Sequence, residues 1–84
     1  MTDVYFRLFI QDQDGIHDTD EDLTLAYDFD GVAPSIGDVI ITSARMRGHS
    51  TFTVVRRIQK AGGEIGLVLE PEVLSGPLRN FCGQ

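Results

Sequence analysis

An 84-residue chain has room for one domain with one core, since a chain of this length hides only about 60 to 65% of its unfolded surface on folding. With 42% hydrophobic and 24% charged residues it is neither disordered nor fibrous, and its single cysteine, Cys82, excludes an internal disulfide and a thiolate metal cluster. The formal net charge of −6 is unevenly spread: residues 1–43 carry ten acids against Arg7 alone, while residues 44–84 carry six basic residues against three glutamates. If the halves fold onto different sides, the molecule has one acidic and one mildly basic surface.

Val4, Phe6, Leu8 and Ile10 alternate with Tyr5, Arg7 and Phe9, which predicts a strand over residues 4–10 with an aromatic outer face. The run is too short, and too soon followed by acids, for a signal peptide or a membrane span, so a cytoplasmic protein is expected. Gln11 to Glu21 reads as a long acidic loop, and Leu23, Leu25, Tyr27 and Phe29 alternate with Asp22, Thr24, Ala26 and Asp28 as a second strand over 22–29. A third strand over 38–44 begins after Pro34-Ser35-Ile36-Gly37-Asp38, in which proline fixes one corner and aspartate bonds to the backbone. A turn centred on Gly48 leads to a fourth strand over 51–59, and Gly62 and Gly63 lead to a fifth over 64–70, stopped by Pro71. The tail, 71–84, carries Leu74, Leu78 and Phe81 at the spacing of a short helical turn that would plug a barrel end, interrupted by Gly76 and Pro77. Five strands in up-and-down order predict an all-β domain: a strongly bent antiparallel sheet or partly open barrel. The Pro34-x-x-Gly37-Asp38 corner resembles the way small SH3-like barrels begin a strand, and that resemblance implies the same barrel architecture.

Asp12, Asp14, Asp18, Asp20, Glu21 and Asp22 crowd the acidic stretch with no basic residue among them, so solvent or a cation must relieve their repulsion. Asp12, Asp14, Asp18 and Glu21 match part of a calcium-loop pattern that would start at Ile10; Ile10 cannot supply the first ligand and a strand precedes the loop where an EF-hand needs a helix, which leaves a solvated acidic tip as the expectation and a looser calcium site in a hairpin loop as the alternative. With Asp28 and Asp30, eight acids fall between residues 12 and 30, more than solubility requires. That surface, with Tyr5 and Phe9 beside it, is the predicted docking site for a protein partner with a basic surface, in the manner of small inhibitors or modulators encoded by phages and other mobile elements. The outward aromatics also suit a homodimer.

Arg45, Arg47, His49, Arg56, Arg57 and Lys60 cluster around the two glycine turns and form the alternative site, for a phosphorylated small ligand or nucleotide. The spacing matches neither a P-loop nor a dinucleotide fingerprint. The same basic strip beside Phe52 would be the stacking surface of a nucleic-acid binder, which the overall acidity disfavours. No Ser, Cys or His lies in a nucleophile or acid–base pattern, so an enzyme is not expected, and no cofactor is implied.

Overall fold

The computed structural model describes residues 4–81, so Cys82 lies outside the described residues. Its strands are β1 (Tyr5–Asp12), β2 (Gly15–Thr24), β3 (Val39–Met46), β4 (His49–Gln59) and β5 (Ile65–Pro71), with two short helices, α1 (Leu25–Asp28) and α2 (Pro77–Phe81). The strands form one sheet in the order β2-β1-β5-β4-β3, curled into a half-barrel. This is the expected all-β, partly open barrel, with one change of connectivity. The two strands at the centre, β1 and β5, run parallel, with Phe6 opposite Ile65 and Ile10 opposite Leu69, so the sheet is mixed rather than up-and-down.

Period-2 alternation explains the core. Phe6, Leu8 and Ile10 from β1, Ile40 and Met46 from β3, Phe52 and Val54 from β4, and Ile65, Leu67 and Leu69 from β5 are all buried in one cluster. At roughly 1.5–3 kcal/mol for each large side chain removed from water, this cluster supplies the main stabilising term. Phe52 is 0% exposed, so the aromatic expected beside a nucleic-acid-binding strip is instead a core residue. On the outer face the Phe9 ring lies over Gly66, where a Cβ would come within 3.2 Å of Phe9 Cε2, so the sheet admits only glycine there without displacing the ring.

Three expectations fail for local reasons. The acidic stretch is a strand, not a long loop: Asp12 pairs with Gly15 across a tight Gln13–Asp14 turn, the Asp12 carboxylate accepts the Asp14 N–H at 2.8 Å, and Gly15 takes φ +114°. The segment expected as a strand over 22–29 leaves the sheet at Thr24 and turns into α1. Thr24 caps that helix by accepting the Tyr27 N–H at 3.3 Å, while the Asp28 carboxylate accepts the Thr24 N–H at 2.7 Å, a reciprocal cap. Leu25 and Phe29, four apart, then face the core together, and Phe29 meets Phe6 edge-to-face at 5.4 Å, while Tyr27 is 90% exposed. Helix α1, rather than the tail, therefore packs on the core. Pro77 starts α2 instead of breaking it, and the helix leaves Leu78 and Phe81 exposed, so it plugs nothing. The corner before β3 forms as expected, with the Asp38 carboxylate accepting the Ser35 N–H at 2.7 Å and Gly37 at φ +98°.

Candidate functional site

The sheet order turns the charge asymmetry of the sequence into geometry. The acidic half supplies β2 and β1, and the basic half supplies most of β5, β4 and β3. Because the sheet curls, its two edges, β2 and β3, come to face each other across an open seam. The tips of their hairpins are latched together there: Arg47 Nε donates to Asp12 Oδ2 at 3.0 Å, and His17 Nε2 lies 3.1 Å from Asp12 Oδ1. The Asp12 carboxyl is held below its ordinary value chiefly by the Asp14 N–H, which outweighs desolvation, with His17 and Arg47 adding to the lowering. Arg47 itself sits at φ +51° beside Gly48 at +82°, the paired left-handed residues of a two-residue hairpin turn.

The repulsion expected within the acidic stretch is offset by Arg7 on the neighbouring strand. Its guanidinium meets Asp18 at 2.8 Å, Asp20 at 2.7 Å and Asp22 at 3.8 Å. The hydrogen bond from Arg7 lowers the Asp18 carboxyl below the ordinary aspartate value, and the Asp18 bond in turn raises Arg7. A bulge makes this possible. The β1–β2 register jumps from Arg7 opposite Asp22 to Phe9 opposite Asp18, so three residues of β2 face Leu8 alone. Thr19 Oγ1 donates to the stranded Leu8 carbonyl at 2.8 Å and accepts the Glu21 N–H at 3.1 Å, while Asp20, at φ +60°, has its N–H bound by Asp18. Side chains thus replace the missing ladder bonds. The calcium pattern is not assembled, because strand alternation sends its members to different faces. Among the described residues no group of three or more His, Asp or Glu side chains is placed to hold a metal.

Above the latch the seam holds two cavities. The larger, about 270 Å³, lies between His17, Thr19 and Glu21 on one side and Arg45, Met46 and Arg47 on the other. The smaller, about 40 Å³, has Leu8 and Leu23 facing Thr42 and Met46, with Glu21 again at its rim. Among the described residues β2 and β3 do not pair, being the two ends of the strand order. Glu21 lines both cavities and forms no ion pair among the described residues.

The basic residues do not converge as one strip. Arg47 serves the latch, Lys60 pairs with Glu64 at 2.9 Å, and Arg56 and Arg57 lie exposed on the last part of β4. Arg45 and His49 instead join Arg79 of α2 around a polar cavity of about 320 Å³ beside Ser50, Thr51 and Glu72. Arg79 lies in the tail and carries no sequence signal toward this site. Of the predicted docking aromatics, Tyr5 is 55% exposed, and Phe9 is occupied with Gly66. Asp14 stands at the hairpin tip, close to the latch rather than to the Arg7 cluster.

Among the described residues no helix is long and apolar enough to cross a membrane. No protein family, curated protein or solved structure matches the chain.

Proposed function

We propose that the protein is a non-enzymatic interaction module that docks a basic segment of a partner protein on its acidic edge, strand β2, as an inhibitor or modulator of that partner. The observation that carries this reading is the concentration of Asp18, Asp20, Glu21 and Asp22 on one sheet edge, with Arg7 as the one cation paired to them among the described residues. Three aspartates around one guanidinium leave a net negative field, and such a field steers a basic partner over about 8 Å at physiological ionic strength. A partner captured from the cells that make this chain should bind with an on-rate that falls with added salt. Asp14→Asn with Glu21→Gln, which breaks no ion pair of the fold, should weaken that binding. Loss of binding on Arg56→Ala with Arg57→Ala, and none on the acidic pair, would overturn the reading.

A second reading has its own observation. Arg45 and Arg79, with His49, line one cavity and form no ion pair among the described residues of an acidic protein. This arrangement favours a small anionic ligand such as a phosphorylated metabolite. Titration with inorganic phosphate, with and without Arg79→Ala, separates the two readings, since the acidic edge takes no part in anion capture.

A further inference from the structure

From the seam between β2 and β3 we infer the mode of docking: the partner enters as one extended strand that pairs with both edges and closes the half-barrel. This rests on the acidic-edge reading and deepens it. The two edges are the ends of the sheet, do not pair with each other, and yet wall the same cavities with their side chains. A strand seated between two such edges would set them about 9.5 Å apart, twice the ordinary strand spacing. The direction also fits. The Gln13–Asp14 turn and the Arg47–Gly48 turn meet at the Asp12–Arg47 latch, so β2 leaves that point as β3 arrives at it, and an interposed strand runs antiparallel to one edge and parallel to the other. Both pairings already occur in this sheet.

The chemistry of the occupant follows from the walls. Inward positions meet the floor made by Leu8, Leu23 and Met46, in the smaller cavity of about 40 Å³, which takes small apolar side chains. Outward positions meet the rim, where Glu21 and Arg45 form no ion pair among the described residues, while Arg47 is committed to Asp12 and Arg7 to the β2 aspartates. Asp12, Asp18, Asp20, Glu21 and Asp22 outnumber Arg7, Arg45 and Arg47 along the seam, so the balance is negative and the complementary strand alternates small apolar residues with Lys or Arg. Main-chain bonds to the two edges give affinity, and alternate side chains give selectivity.

The probe is a capped peptide alternating Lys and Val over about eight residues, the length of an ordinary strand. It is titrated into the full chain, with amide exchange followed along the backbone. Binding should slow exchange in residues 19–23 and 42–46 and should weaken at least tenfold when the peptide is N-methylated at alternate residues, which removes its pairing N–H groups from one side. Glu21→Gln should weaken it further. Equal binding of the methylated peptide overturns strand insertion but leaves acidic docking standing. No binding of either peptide overturns both. Dimerisation without peptide, with the same protected residues, assigns the seam to a second copy of this chain and overturns the peptide as occupant.

Discussion

Thr19→Val tests whether side chains hold the β2 bulge. Valine keeps the volume and β-branching of threonine, so the strand geometry and packing are preserved, and only the hydroxyl is lost. That hydroxyl donates to the Leu8 carbonyl at 2.8 Å and accepts the Glu21 N–H at 3.1 Å. Leu8 is buried and the register leaves it no backbone partner on β2, so its carbonyl would lose its side-chain donor and pay a desolvation cost. An unsatisfied buried acceptor costs about 1–3 kcal/mol, which for a domain of this size lowers the melting temperature by roughly 5–20 °C. Thermal unfolding followed by circular dichroism measures the shift, with Thr19→Ser as the control that keeps the hydroxyl. If Thr19→Val melts within about 2 °C of the parent while Thr19→Ser melts lower, the bulge is held by packing and not by the Thr19 hydroxyl.

Asp12 and Asp18 are held below the ordinary aspartate value of 3.8, and Glu64 below the ordinary 4.5, so each contributes stability that is present above those values and lost as pH falls through the lower folded ones. Urea midpoints should therefore be level near neutral pH and drop below about pH 4, and Asp18→Asn should flatten part of that drop; a midpoint unchanged to about pH 2 would refute the pairing. Gly66→Ala should destabilise by roughly 1 kcal/mol, because the added methyl meets Phe9 Cε2 at 3.2 Å, and Phe9→Leu in the same chain should recover part of the loss. Purely additive effects in that double-mutant cycle would mean that the ring is not the obstacle.

Four strands are legible because they bury one face and alternate cleanly, with Phe6, Leu8 and Ile10 or Ile65, Leu67 and Leu69 as the repeating side. Strand β2 is not legible, because its bulge is built from Asp18, Thr19 and Asp20, residue types that bond to backbone in loops just as readily. Leu25 and Phe29 mislead for another reason. A spacing of four satisfies both a strand and a helical turn, and only the Thr24 and Asp28 caps decide between them. The acidic stretch is visible in the sequence as a cluster of charge, but Arg7 reaches it only through cross-strand register, and Arg47 reaches Asp12 only because the sheet curls. Such placements depend on long-range pairing, which a local pattern does not encode. Arg79 joins Arg45 and His49 for the same reason.

The parallel pairing of β1 with β5 also sets how the chain must fold. Phe6 finds its neighbour at Ile65 and Ile10 at Leu69, so more than half of the chain lies between partners in the interior of the sheet. The hairpins β1–β2 and β3–β4 close locally, but the loop that joins the two halves must close before Phe6, Leu8 and Ile10 are covered, and its entropy is lost before those contacts reward it. The expected consequence is a slow step in which the β1–β2 hairpin docks on the other three strands. Until β5 is in place, β1 has no strand on the side opposite β2 to carry the core across the sheet.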